Sequence, residues 1–398
     1  MMTRAPHRHA VMRPRQVRGH NSAAVLQFLR RFETMSRAEL ARRSGLSEGT
    51  VSRIIANLLE LDLVSEVGAE NSTGGRPSTR LQLSDTPRSI GVEIQNWETR
   101  FAVATMRGIL VETVAVRTPP TPDQALCVIG DQVRRLCKTH DHIQGAGVTV
   151  RGIVNSRSGV VELGNAPGWT QIPVKASLEK STSLPVWVEN DVRAATLAEY
   201  HYTNAGEHAS QCLLYVSVNE GVGVGIVFHG EVYAGPSMAA GEFGQMVIHD
   251  DGSDTRHDRP GCLEMLVSNQ AVCDRFAAFQ GKAAGKTADS AARVRRICQR
   301  ALNGEPDALR AIRQTARYLG LGIASIAFGL DPEVIVLNTT LNMAWPLLLE
   351  EIEAQLPNQA EWPAFQKLSV RQAALGEQGA LIGAATLAFG PLFETPRG

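Results

Sequence analysis

The 398-residue chain has no CxxC pair. Its six cysteines, Cys127, Cys137, Cys212, Cys262, Cys273 and Cys298, are scattered, which argues against a disulfide framework and suits a reducing, cytoplasmic setting. No apolar run reaches the roughly 18 residues that a membrane helix needs, so no membrane partner is expected. Residues 1–20 contain no acid but lack the apolar segment of a secretory signal, and read as a flexible basic arm. Net charge is absent too, with 40 basic and 40 acidic side chains. That balance hides an asymmetry. Through residue 80 there are 13 Arg, no Lys and 7 acids, net +6; the other 318 residues hold 27 basic and 33 acidic groups, net −6. A basic head on an acidic body suggests a polyanionic partner for the head, although charge alone fits a solvated terminus equally well. The length implies two or three domains.

The stretch "MSRAELARRSGLSEGTVSRIIANLLELDLVSEVG" separates those readings. Ser36 and Glu39 form an S-x-x-E capping box, so a helix is expected from Arg37. It runs into Gly45, which suits a tight turn. Ser47 can cap a second helix whose apolar positions Val51, Ile54, Ile55 and Leu58 fall at i, i+3, i+4 and i+7. Its opposite face carries Gly49, Ser52, Arg53, Ala56 and Asn57, small and polar with one guanidinium, as a helix entering a major groove requires. "NSAAVLQFLRRF" gives a preceding helix, and "LVSEVGAENSTGGRPSTRLQL" gives two strands around a Gly-rich turn with Arg76 at its tip. Three helices and a hairpin make a winged helix-turn-helix over residues 21–85. A helical packing module without DNA would share the periodicity, but Arg76 and Arg80 on the hairpin favour double-stranded DNA. Arg42, Arg43 and Arg76 are the candidate phosphate contacts. Ser47, Thr50, Ser52, Arg53 and Asn57 are the candidate groove-facing residues.

After a linker, "SDTPRS" (84–89), strand-like and helix-like stretches alternate in an α/β pattern. "SIGVEIQNWETRFAVATMRGILVETVAV" predicts three strands, "ALCVIGDQVRRLCKTH" a helix, and "PVWVENDVRAATLAEY" a strand, an Asn-Asp pair and a helix. "QCLLYVSVNEGVGVGIVFHGEVYAG" restarts the meander. Two such halves imply a duplicated architecture with a cleft between lobes, a common place for ligands. The first lobe is expected over 88–195, with a helix in 376–398 returning to it. The second lobe, over 196–375, is expected to carry dimer contacts. The apolar helix "LGLGIASIAFGL" suits core or interface.

In this order, "SRAELARRSGLSEGTVSRII", "NAPGW", "ENDVRAATLAE", "AAGEFGQMVI", "GCLE" and "GALIGAA" resemble the ROK family (repressors, open reading frames and sugar kinases), in the branch with an N-terminal winged helix. The resemblance implies a two-lobed actin-like, hexokinase-like body of ribonuclease H-like topology. It also implies a protein that binds operators in response to a sugar, or one that phosphorylates a sugar. On the nucleotide side three departures argue against the kinase. Glu93, Gln95, Asn96 and Trp97 stand in the first phosphate turn, where Trp97 would crowd a phosphate. Asn219 and Glu220 stand in the second, placing a carboxylate beside a triphosphate. Residues 338–340, "NTT", replace the Gly-Gly pair near the adenosine. ATP is therefore not expected as a cofactor.

The sugar side departs less. By resemblance Gly152, Asn165, Asn190, Asp191, Glu242 and Glu264 occupy sugar-contacting positions, and carboxylates and amides suit adjacent hydroxyls. Asp191 holds the catalytic-base position; with no phosphate donor it becomes a hydroxyl acceptor, so no catalytic residue is assigned. The Asn190-Asp191 pair can also cap the following helix. Gln245 replaces a family histidine that meets both sugar and zinc. At the places of three family cysteines the chain offers Thr255, His257 and Cys262, two potential zinc ligands out of four, a set that His249 or an acid from "HDDGSDTRHD" would complete. A polar loop with stray histidines reads better, and zinc is not expected. The resulting expectation is a repressor of carbohydrate-uptake or catabolism genes, a homodimer or homotetramer on a palindromic operator. Its rivals are an ATP-dependent sugar kinase and a sugar-insensitive DNA-binding protein governed by a protein partner.

Overall fold

Local capping sets the head. Glu39 Oε2 accepts from the Ser36 amide at 2.8 Å while Ser36 Oγ accepts from the Glu39 amide at 3.2 Å, closing the predicted box. The computed structural model describes residues 14–69, 79–203, 211–249, 260–283, 285, 289–356, 362 and 368–393. Within it the head comprises α1 (Pro14–Phe32), β1 (Met35–Ser36), α2 (Arg37–Ser44), α3 (Glu48–Glu60), β2 (Val64–Ala69) and β3 (Thr79–Leu83). Helix α1 starts at Pro14, inside the segment read as a free arm. Gly45 ends α2 with φ of 70°, a left-handed turn that glycine adopts without a Cβ penalty. Val51, Ile55 and Leu58 of α3 are buried with Val25, Leu26, Leu29, Leu40, Leu81 and Leu83, and β1, β3 and β2 form the antiparallel wing. The turn carrying Arg76 lies outside the described residues.

The first body sheet is built from β4 (Arg88–Ile94), β5 (Glu98–Thr105), β6 (Leu110–Arg117), β7 (Ile143–Val150) and β11 (Val186–Asn190), in the order β11-β7-β4-β5-β6. Helix α4 (Pro122–Thr139) leads to β7, and α5 (Val174–Thr182) leads to β11. Between them β8 (Gly152–Asn155), β9 (Val160–Gly164) and β10 (Thr170–Ile172) form a small antiparallel sheet. Helix α6 (Asp191–Tyr202) follows β11 without a break. The second sheet contains β12 (Cys212–Val218), β13 (Val222–Phe228), β14 (Glu231–Val232), β15 (Val334–Thr339) and β16 (Ser369–Gln372), in the order β14-β13-β12-β15-β16. In each sheet three meander strands are joined by two parallel strands on the side of the first. The shared order is the duplication expected from sequence.

The second lobe's helices are α7 (Leu263–Val267), α8 (Asn269–Phe279), α9 (Ser290–Leu302), α10 (Pro306–Leu330) and α11 (Trp345–Glu353). Most of the apolar stretch in α10 is core, including Leu319, Ile323, Ile326 and Ala327. Helix α12 (Gly379–Leu387) and a last turn, α13 (Gly390–Phe393), then return to the first lobe. Ser89 Oγ donates to Ala385 O at 2.8 Å. Helix α6 crosses the 195/196 boundary drawn from sequence and packs on both α12 and β13. Two glycines make this possible by close approach: a Cβ on Gly147 would overlap the Ala384 carbonyl, and one on Gly383 would overlap that of Ala194. Gly383→Ala is therefore expected to cost about 1–3 kcal/mol, because backbone and not a side-chain tip must yield. Urea unfolding monitored by tryptophan fluorescence checks it; an unchanged midpoint would mean that the α6–α12 contact can relax.

Candidate ligand cleft and DNA-facing surface

Asn190 closes β11 and caps α6. Its Oδ1 accepts from the Arg193 amide at 3.0 Å, and its Nδ2 donates to Gly152 O at 3.0 Å and lies 3.2 Å from Asp191 Oδ1. The capping role anticipated for this pair therefore falls to Asn190 and leaves Asp191 facing the cleft. Asp191 Oδ2 stands 3.5 Å from Arg151 Nε, and the Arg151 carbonyl accepts from the Asn165 amide at 3.3 Å. Gly152, Asn165, Asn190 and Asp191 thus share one connected rim. The Asn165 side chain is exposed.

The opposite rim comes from the second lobe. Glu264, at the start of α7, accepts from the Val222 amide at 2.9 Å. Glu242 precedes the single turn Phe243–Gln245, and the Gln245 amide donates to its carbonyl at 3.1 Å. The Glu242 carboxyl is raised above the ordinary range by partial burial, then by the neighbouring charge of Glu264 and, more weakly, of Asp191, with Arg193 opposing. Asp191, Glu242 and Glu264 therefore sit close enough to repel, a surplus of acceptors that suits a hydroxyl-bearing ligand.

Two arginines not singled out from sequence organise this site. Buried Arg193 pairs with Glu189 and donates to Met238 O at 2.7 Å and Val154 O at 2.8 Å, tying the small sheet and the loop ahead of Glu242 to the start of α6. Burial still holds the Glu189 carboxyl above its usual range, with Arg193 acting against it. The other is Arg151. The i, i+4 spacing of Glu189 and Arg193 is a signal that could have found the first pair, and nothing local marks the second.

The nucleotide side is a cleft of about 390 Å³ between the lobes. The side chains of its altered turns are engaged within the protein, the second and third with each other. Glu93, raised by burial, accepts from Gln95 Nε2 at 2.7 Å and Arg100 Nε at 3.0 Å, and Arg100 also donates to Glu377 O at 2.6 Å. Asn219 Oδ1 accepts from Thr340 Oγ1 at 3.1 Å, and Glu220 accepts from Ser290 Oγ. Trp97 is 78% exposed and is not a wall of the cleft, so Gln95 and Glu93 and not the indole stand where a phosphate would need amides. The zinc loop's Thr255 and His257 lie outside the described residues. Cys262 is buried, His249 sits 5.8 Å from the Tyr318 ring, and among the described residues no group of three ligands could hold a metal.

On the head, Gly49, Ser52, Arg53, Ala56 and Asn57 are all exposed along α3, opposite its buried stripe. Ser47 Oγ accepts from the Thr50 amide at 3.3 Å and lies 2.9 Å from Thr50 Oγ1, so both hydroxyls serve the cap. Arg42 and Arg43 are exposed at the end of α2, with Arg43 stacked 4.1 Å over Phe32. Arg80 does not extend the basic surface as its place on the hairpin suggested: it donates to Thr34 O at 2.8 Å and pairs with Glu39 at 3.2 Å.

The model of the ROK family matches residues 89–390, three quarters of the chain, and that of the MarR family matches residues 19–76. The chain belongs to the ROK family. Among ROK relatives, a putative xylose repressor from a Caldicellulosiruptor species is 26% identical over 388 residues, covering 94% of this chain and 97% of that one. The DNA-binding transcriptional dual regulator NagC of Escherichia coli is 27% identical over 379 residues, covering 92% and 91%. The crystal structure of a ROK transcriptional regulator homologous to the E. coli MLC protein matches with a TM-score of 0.76 at 24% identity, covering 96% and 98% of the two chains, which supports the same fold with its head included.

The repelling carboxylates predict a pH signature. A carboxyl raised in the folded state weakens folding once ionised; the penalty is absent below its unfolded pKa and complete above its folded one. Glu242→Gln is expected to raise Tm at about pH 7 and to leave it unchanged near about pH 4. Scanning fluorimetry at both values checks this, and an equal shift at the two would show that charge is not the cause.

Proposed function

We propose that this ROK chain is a DNA-binding transcriptional regulator and not a sugar kinase: a repressor of carbohydrate-uptake or catabolism genes whose operator affinity changes when a sugar or sugar derivative occupies the cleft. The observation that carries the reading is the asymmetry of that cleft. At the positions that the family resemblance gives to the sugar it has Gly152, Asn165, Asn190, Asp191, Glu242 and Glu264, with Gln245 in place of the histidine, while at the nucleotide positions Glu93 pairs with Arg100 and Asn219 accepts from Thr340. The regulator needs neither ATP nor zinc. Arg42, Arg43 and Arg76 supply phosphate contacts, and Ser52, Arg53 and Asn57 face base edges with Ser47 and Thr50 shaping the start of the helix. Two heads on a palindrome require at least a homodimer.

Helix α6 offers a direct route between the two activities. It begins at Asn190 and Asp191 and ends at Tyr200, His201 and Tyr202, which lie against the head. A ligand that binds the two arrangements of the heads with affinities differing by about 1.4 kcal/mol changes operator affinity tenfold.

Fluorescence anisotropy on DNA from upstream of the gene, with and without a panel of sugars, tests the reading. Wild type should bind in a salt-sensitive way and be released by one sugar. Arg53→Ala should weaken binding by about 1–3 kcal/mol, and Asp191→Ala should bind DNA normally yet ignore the sugar. ADP release with any sugar would restore the kinase, and binding that no sugar alters would point to a protein partner.

A further inference from the structure

The head meets the body along a seam between α1 and the end of α6, and this seam holds a cavity of about 450 Å³. Among the described residues three guanidiniums line it, Arg30 and Arg31 from α1 and Arg107 from the turn after β5, against one carboxylate, Glu33. Arg107 lies 3.2 Å from Asp85. Arg30 differs: among the described residues it meets no carboxylate and makes no hydrogen bond, and its flat face lies 3.8 Å above the Phe393 ring. Burial lowers its pKa to about 10 and, with Arg30 adding to it, holds the adjacent His201 well below the ordinary imidazole value. Two neighbouring cavities, of about 360 and 450 Å³, also open onto Arg30.

Arg30 is half-buried; to the extent that its guanidinium leaves water without a countercharge, an aromatic face returns only part of the cost. The fork of five donors matches the oxygens of a phosphate group better than any neutral ligand. We propose that the seam cavity is a second effector site, which takes a phosphate group between Arg30 of the head and Arg107 of the body. The phosphate comes free or on a small metabolite; the chemistry recognised is the same. Bridging the two walls would hold the head in one orientation on the body. The site lies about 18 Å from the sugar rim, the length of twelve helical residues, and stands whether or not the cleft takes a sugar.

The test uses the full chain at matched ionic strength, with inorganic phosphate, hexose 6-phosphate or sodium chloride. Variants are Arg30→Met, which keeps the contact with Phe393, and Arg107→Gln on the surface turn. In wild type, phosphate should raise Tm progressively with concentration and change operator affinity about fivefold or more. Both variants should fold and lose the response. A response to inorganic phosphate assigns the group alone as sufficient, and a response only to the hexose phosphate assigns a metabolite. No response in wild type from either compound, or a response surviving Arg30→Met, overturns the proposal.

Discussion

The close packing of α6 on α12 is the constraint on which the rest of the molecule depends. Neither helix is strongly amphipathic by composition. Their contact rests on small residues, Ala194 and Ala195 on one side and Gly379 and Gly383 on the other, with Gly383 meeting the Ala194 backbone directly. The same two helices cover the first sheet through Gly147 and reach β13 of the second. Two lobes, the cleft rim at Asn190 and the seat of the head therefore share one rigid element. Such interfaces are bistable and not continuously deformable, so a displacement at one end of α6 is felt at the other.

The cleft shows the opposite economy. Glu189, Glu93 and Glu242 are all held above the usual carboxylate range by burial, and only the first two have arginine partners in hydrogen-bond contact. In the cavity between the lobes the Glu93 charge is met internally, by Arg100. At the other rim Glu242 feels the charges of Glu264 and Asp191. Repulsion in a folded chain lowers its stability, and this carboxylate cluster is therefore a candidate for a ligand site and not for a structural role.

What could be read from sequence follows the range of the interaction. The Ser36–Glu39 box, the left-handed Gly45, the buried stripe of α3 and the two meanders are signals within a few residues, and each appears as expected. Arg80 looked like part of a basic surface because its acceptor, Thr34, lies 46 residues away. Trp97 looked obstructive because the spacing that placed it in the phosphate turn says nothing of which way a turn faces. Arg151 and the docking of Phe393 under α1 depend on chain segments that meet only after folding. The start of α1 was missed for another reason: a proline suits the first turn of a helix as well as a loose arm.

The head shares its hydrophobic core with Met106, Phe389 and Phe393 of the body, so it is not a domain on a free tether. Yet the seam beside that core is loosely filled, with three cavities gathered around Arg30 and His201. A head fully packed on the body could not reorient, and a head on a flexible linker would not sense the body. A small apolar anchor next to a polar seam with open space meets both requirements: the anchor keeps the head in register with α6, and the seam leaves room for movement. Only a gap of a few kcal/mol can be biased by the differential binding of a small ligand. Under the proposed regulation, the space at this seam is what a ligand would use to bias the head.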